Sequence, residues 1–198
     1  RAASFLRLGA SVIALEPQPR VFRALRLLPG RSEHAVLLPC AVGRAEGEAT
    51  LHLNTRNPTV ATLAQDFIDA AAGAQGWQGE VWDARVTVPV TTLDALIARY
   101  GTPACIKIDV EGHEAETLLG LSTPVPALSF EITTIQRAAA YACLDRLCAL
   151  GPYRFNLSLG EDHMLISDTW IAAPSMRARI AALPDAANSG DVYARLLP

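Results

Sequence analysis

The sequence predicts an α/β protein in which a mostly parallel, twisted sheet carries helices on both faces. Two observations support this prediction. Short strands rich in β-branched residues alternate along the chain with helical patterns. Each crossover helix must also cover one sheet face, which is the arrangement that parallel strands require. With 198 residues the chain is long enough for one buried core, and we expect one domain over residues 1–198.

The predicted elements follow one another in a regular order. Helical periodicity predicts helices over residues 1–9, 19–28, 64–72, 93–100, 114–121, 135–150 and 174–183. Strand patterns cover residues 11–15, 35–42, 47–54, 84–90, 104–110, 127–132, 153–159 and 163–167, with a last segment at 192–196. The strands at 153–159 and 163–167 flank a turn at Gly160, which predicts a late antiparallel hairpin. Thr91 and Asp94 resemble a capping box that opens the helix at 93–100.

Residues 54–79 are rich in Asn, Thr, Ala, Gly and Gln, which is typical of an excursion over the surface. Loops on a rigid sheet often determine substrate selectivity, so this segment and the turn at Gly160 are expected to shape a substrate site. Trp77 and Trp82 lie in or beside the excursion. Their rings either stack on a sugar face or pack onto the core as part of a lid.

Composition limits the classes of partner. Hydrophobic residues make up 51% of the chain and charged ones 19%, which excludes the polar bias of disorder, and no apolar run is long enough for a membrane span. The net charge of −3 and the scattered basic residues argue against nucleic acid, so a small molecule is the expected ligand. No signal-peptide pattern is visible, which predicts a cytoplasmic protein. The four cysteines form no C-x-x-C pair and are expected to be reduced, buried thiols.

Acidic residues follow three of the predicted strands. Glu16 follows the first strand, Asp109 and Glu111 follow "CIKI", and Glu131 lies near the end of "ALSFEI". Ligands of open α/β sheets bind beyond the carboxyl ends of the strands, so these residues are candidates for a site. A carboxylate at the position of Glu16 is able to bind a ribose diol. The alternative is that Glu16 merely faces solvent at a strand end.

The strand before Asp109 carries a second signal. Side chains alternate along a strand, so Lys107, Asp109 and Glu111 share one face, and Lys107 is expected to pair with a neighbouring carboxylate. Asp109, Glu111 and His113 are able to bind a divalent metal ion or to move a proton. The alternative for His113 is a surface position at a helix start. Glu114 and Glu116 are explained by the preference for acidic residues in a first helical turn.

Five segments resemble, in the same order and with similar spacing, the FkbM-type S-adenosylmethionine-dependent methyltransferases. These segments are "GASVIALEPQP" (9–19), "AVG" (41–43), "TTLDAL" (91–96), "IKIDVEGHEAETLLGL" (106–121) and "LSFEI" (128–132). The resemblance implies a Rossmann-like class I methyltransferase fold, a seven-stranded sheet with a late antiparallel hairpin. It implies S-adenosylmethionine as the cofactor and O-methylation of a hydroxyl on a sugar or another small natural product.

The resemblance also implies roles for single residues. The cofactor would contact Glu16, Pro17, Ala41, Val42 and Asp109, and the catalytic candidates are Asp109, Glu111 and His113. The first strand and glycine-containing loop of the family are not in the chain, so we expect an N-terminally truncated fragment of lower activity or none.

Two alternative functions fit parts of the sequence. A carboxylate on a ribose also fits an oxidoreductase with a nicotinamide cofactor, although neither G-x-G-x-x-G nor a P-loop motif is present. A non-catalytic fragment that binds a partner is the second alternative. The sequence does not predict the oligomeric state.

Overall fold

A computed structural model describes residues 2–27, 33–160 and 164–197 of the chain. Its helices are α1 (Ala2–Arg7), α2 (Pro19–Leu25), α3 (Gln65–Ala71), α4 (Leu93–Tyr100), α5 (Glu114–Leu119), α6 (Arg137–Leu150) and α7 (Ala173–Ala181). Its strands are β1 (Val12–Leu15), β2 (Ala35–Leu38), β3 (Ala41–Val42), β4 (Gly47–Leu53), β5 (Ala84–Thr91), β6 (Ile106–Ile108), β7 (Ala127–Thr133), β8 (Tyr153–Leu159) and β9 (Ser189–Leu196). The α/β class is confirmed.

The strands form mixed sheets. β1 pairs with β2 in parallel; β5 lies between β3, which is parallel to it, and β4, which is antiparallel. The largest sheet has the order β6-β7-β9-β8, with β6 parallel to β7 and β9 antiparallel to both of its neighbours. The prediction of a mostly parallel sheet is therefore wrong, because the later strands and the β4-β5 ribbon pair antiparallel.

The predicted hairpin is also wrong. β8 pairs along its whole length with β9, from Tyr153 opposite Leu196 to Leu159 opposite Gly190. Residues 164–167 do not form a strand, although the Ile166 amide donates to the Leu157 carbonyl at 2.8 Å. A continuous ladder with β9 satisfies more backbone groups than the predicted five-residue return strand would. His163 and the turn residues 161–162 lie outside the described part of the chain, as does Leu28 at the end of the predicted second helix.

Two local predictions need smaller corrections. The strand predicted at 35–42 is divided into β2 and β3, which belong to different sheets, and Pro39 between them has no backbone donor for a continuous ladder. Helix α4 has the predicted bounds, but its cap is Thr92, whose hydroxyl accepts from the Ala95 amide at 3.1 Å. Asp94 instead accepts from the Ser122 amide at 2.8 Å.

The main core lies on one face of the largest sheet. Leu128, Phe130 and Ile132 point from β7 to this face, and helices α5, α6 and α7 cover it with buried residues such as Leu118 and Leu144. Alternate residues of the same strands point to the opposite face, and they are largely polar. No helix in the described part of the chain is long and apolar enough to cross a membrane.

The excursion forms a small core of its own. Phe67 is fully buried, and the rings of Trp77 and Trp82 pack edge-on against it at centroid distances of 5.0 and 6.1 Å. These contacts agree with the packed alternative for the two tryptophans. The four cysteines are free thiols; Cys143 is buried, but Cys105 and Cys148 are exposed, so the expectation of burial is wrong for those two.

Candidate active site

The ends of β1 and β6 border the same cavity. Glu16 follows β1, Asp109 follows β6, and both line a hollow of about 270 Å³. This volume lies just below the range of about 300 to 1,000 Å³ that is usual for small-molecule sites. The carboxylates at these two strand ends thus face one shared space, as the rule for α/β sheets predicts.

The loop after β1 is fixed by hydrogen bonds. Glu16 Oε1 accepts from the Gln18 amide at 2.8 Å, and Gln18 Nε2 donates to the Pro58 carbonyl at 2.9 Å. Pro17, which also lines the cavity, restricts the backbone between them. Burial raises the pKa of Glu16, and the bonds from Gln18 act in the opposite direction.

The wall of the cavity is largely apolar. Ala41 and Val42 of β3 line it, as predicted, and residues from α2, β4 and the excursion complete it, among them Val21, Leu51 and Leu63. A largely apolar wall with a few polar groups is the usual composition of a small-molecule site.

Asp109, Glu111 and Glu131 form the acidic cluster. Each offers a carboxylate oxygen, and these three oxygens all lie within 4.8 Å of one another. Burial raises the pKa of Glu111 to about 8 and that of Glu131 to about 9, and the neighbouring carboxylates add to both shifts. Glu131 Oε2 is buried and has no hydrogen-bond partner among the described residues. Glu111 and Glu131 are therefore largely protonated at neutral pH.

Lys107 compensates part of this negative charge. Its Nζ lies 2.5 Å from Asp191 Oδ1 and 3.3 Å from Asp109 Oδ2, which agrees with the predicted pairing to a neighbouring carboxylate. Burial alone would lower the pKa of Lys107, but the carboxylates of Asp109 and Asp191 outweigh it and raise the pKa. Lys107 is thus a cation at neutral pH and helps to fix Asp109.

The loop from Asp109 to His113 makes a tight left-handed turn. Glu111 has a φ of +51° and Gly112 a φ of +89°, and Gly112 packs so closely on Phe67 that an added Cβ would lie 2.7 Å from Phe67 Cβ. Glu114 Oε1 accepts from the amides of Val110 and Gly112 at 3.2 and 3.3 Å.

The preference for acidic residues in a first helical turn does not explain the position of Glu114. Its side chain is only 4% exposed and binds the preceding loop, and burial raises its pKa to about 7. Glu116 does lie on the helix surface, where Oε2 pairs with Nε of Arg44 at 2.7 Å.

His113 lies apart from the cavity wall. Its Nε2 would be 3.6 Å from a Cβ added at Gly43, so the ring packs beside the end of β3. Burial lowers the pKa of His113, which leaves a neutral imidazole at neutral pH. The structure therefore brings six of the seven predicted site residues to one cavity: Glu16, Pro17, Ala41, Val42, Asp109 and Glu111.

Three further residues belong to the site, of which Thr62 and Asp191 were not predicted and Glu131 was a candidate without an assigned role. Glu131 was recognised as a strand-end acid, and the alternation in "ALSFEI" could have placed it with Asp109. Asp191 gave no signal, because its role depends on the pairing of β9 with β7. Thr62, whose hydroxyl donates to the Glu111 carbonyl at 2.6 Å, lies 49 residues away in the sequence.

The fold and the site together define an α/β protein with a cavity at its strand ends and a carboxylate on either side. A family model, described as the methyltransferase FkbM domain, matches residues 2–142, which is more than two thirds of the chain. The chain therefore belongs to the FkbM methyltransferase domain family. Comparisons with curated proteins and with solved structures gave no match.

Proposed function

We propose that the protein is an S-adenosylmethionine-dependent methyltransferase that methylates a hydroxyl of a sugar or another small natural product. The observation that carries this proposal is the cavity that Glu16 and Asp109 share. Membership of the FkbM family supports the reaction class. The proposal includes a class I arrangement of the strands, one domain over residues 1–198, and a small-molecule acceptor in place of nucleic acid.

The cavity suits the nucleoside part of the cofactor. Glu16 would accept hydrogen bonds from the ribose diol, and Pro17, Ala41 and Val42 would contact the adenine ring through the apolar wall. Asp109 at the other end would face the sulfonium. When bound, S-adenosylmethionine supplies an electrophilic methyl group, and the protein holds that group beside the acceptor.

The acidic cluster would receive the proton of the acceptor. An alcohol is a poor nucleophile until its proton is removed, and a base with a pKa near the working pH does this most effectively. Glu111 lines the cavity, and its pKa of about 8 lies near a neutral working pH. Its ionised carboxylate would therefore be the base. His113 was predicted for the same task, but its ring lies beside Gly43, so Glu111 is our first choice.

A divalent metal ion is an alternative way to activate the acceptor. Asp109, Glu111 and Glu131 present oxygen atoms, which are the ligands that Mg²⁺ prefers, and the oxygens are close enough to share one ion. Glu131 Oε2 has no hydrogen-bond partner among the described residues and would be available to coordinate such an ion. A bound cation would lower the pKa of the acceptor hydroxyl. Titration with Mg²⁺ in a calorimeter, with Glu131→Gln as the comparison, distinguishes this alternative from proton transfer to the carboxylates.

Calorimetry with S-adenosylhomocysteine tests the proposed cofactor. We expect binding to the wild type and roughly tenfold weaker binding to Glu16→Gln, because the amide is a poorer acceptor for the diol than the carboxylate. Glu48→Gln on the exposed part of β4 is the matched control and should bind like the wild type. Binding of NAD⁺ in place of S-adenosylhomocysteine would overturn the proposal in favour of a nicotinamide-dependent enzyme.

A further inference from the structure

The acidic loop contains a strained residue. Glu111 has a φ of +51°, although it has a side chain that disfavours the left-handed region. Strain of this kind persists only where the surrounding structure holds the residue in place. Glu111 also lines the cavity, so its conformation decides where its carboxylate lies.

Thr62, which lies in the excursion, makes contacts that keep the Glu111 backbone in place. Its hydroxyl donates to the Glu111 carbonyl at 2.6 Å and accepts from the Ala64 amide at 2.9 Å. Thr62 is 1% exposed, and its own backbone exchanges hydrogen bonds of 2.8 and 3.0 Å with His52 at the end of β4. The hydroxyl is therefore fixed on one side by a strand and bonded on the other to the strained residue.

The same segment also borders the cavity. Pro58, Ala61 and Leu63 line it, and the Pro58 carbonyl accepts from Gln18 in the loop that carries Glu16. Residues 58–63 thus connect the loop after β1 with the loop after β6. A substitution at Thr62 is therefore expected to alter the geometry of the cavity at the end where Glu111 lies.

We infer that Thr62 is a positioning residue: its hydroxyl holds the Glu111 backbone in the left-handed turn that places the Glu111 carboxylate beside Asp109 and Glu131. An effect of Thr62 on methyl transfer depends on the function proposed above, whereas its role in holding the loop does not. Val at this position keeps the shape of the side chain but removes the donor, and Ser keeps the donor.

Amide hydrogen exchange in the full chain tests the structural role without any ligand. The reporters are the amides of Val110 and Gly112, which donate to Glu114 Oε1 in the same loop. We expect roughly tenfold faster exchange in Thr62→Val, the factor that one buried hydrogen bond supplies, and exchange close to wild type in Thr62→Ser.

Thr134→Val is the matched control. The Thr134 hydroxyl is also buried, and its one proton is shared between the carbonyls of Asp185 and Asn188 at 3.0 and 3.2 Å. This variant should lose a similar amount of stability while exchange at Val110 and Gly112, relative to the core strand β7, stays unchanged. Unchanged exchange in Thr62→Val, or equal acceleration in Thr134→Val and Thr62→Val, would overturn the inference.

A second measurement connects Thr62 with the cofactor. The Glu111 carboxylate lines the cavity, where a negative charge favours the sulfonium of S-adenosylmethionine over the uncharged thioether of S-adenosylhomocysteine. We expect Thr62→Val to reduce this preference several-fold and Thr62→Ser to restore it; an unchanged preference counts against the inference. Should the wild type bind neither compound, the proposed function fails, and the exchange experiment still decides the role of Thr62.

Discussion

On one face of the β6-β7-β9-β8 sheet, Phe130, Leu157 and Val192 are fully buried against helices; on the other, Lys107, Glu131 and Asp191 occupy neighbouring strands. Both faces exclude water to a large extent, since Asp191 is only 5% exposed. Apolar burial stabilises the fold, whereas buried charge costs free energy unless it is paired. Polar groups placed in this way, next to a cavity, are typical of a functional site.

The two faces should respond differently to substitution. Phe130→Ala on the apolar face is expected to lower the free energy of unfolding by about 3 to 5 kcal/mol, because it leaves a cavity in a packed core. Chemical denaturation measures this loss. Glu131→Gln, at the next position of the same strand, is the matched comparison on the polar face. Equal losses for both variants at pH 7 would remove the distinction between the faces.

The ion pair of Lys107 tests how the buried charge on the polar face of the sheet is compensated. Lys107→Met should cost about 2 to 3 kcal/mol, because the buried Asp191 carboxylate then loses the ammonium group that lies 2.5 Å from it. Adding Asp191→Asn to Lys107→Met removes the buried charge that Lys107 offsets in the wild type, so the double variant should recover part of the loss in a thermodynamic cycle. A double variant no more stable than Lys107→Met would show that the pair is not what compensates Asp191.

The acidic cluster predicts a dependence of stability on pH. The pKa of Glu131 is raised from 4.5 to about 9, so between these values the folded protein binds a proton that the unfolded chain releases. Stability should therefore be greatest at the acidic end of this window and fall as the pH rises toward 9. We expect Glu131→Gln to reduce the loss between pH 6 and pH 9 by at least about 1.4 kcal/mol, the equivalent of one pKa unit.

Denaturation at a series of pH values measures this effect. Glu48→Gln is the control, because Glu48 is exposed on β4 and its substitution should leave the slope unchanged. The same slope for the wild type and Glu131→Gln would mean that the Glu131 carboxyl ionises normally in the folded protein.

The sequence predicts the parts of this molecule that depend on local pattern. Helix α4 has the predicted bounds, and Glu16 and Asp109 meet at one cavity because β1 and β6 both end beside it. Pairings between distant strands could not be predicted in this way, since the register of β9 beside β7 and β8 has no local signal. For this reason Asp191 was missed, and a local hairpin was expected in place of β9.

His113 does not line the cavity, and its catalytic role stays a prediction. Its position two residues after Glu111 suggested a shared site, but the left-handed turn at Glu111 and Gly112 directs the two side chains to different places. Positive φ at a residue other than glycine is rare, so a sequence pattern does not reveal it. Thr62, which bonds to this turn, was missed for the same reason.

The location of a bound cofactor in solution decides whether the cavity is the methyl-donor site. In nuclear Overhauser spectra of the protein with S-adenosylhomocysteine, we expect contacts from the ribose and adenine protons to the methyl groups of Leu15, Val42 and Leu63, which line the cavity. Methyl groups of the opposite sheet face, such as those of Val192, should show none. Contacts to a surface away from Glu16 and Asp109, or no binding at all, would contradict the assignment of the cavity as the methyl-donor site.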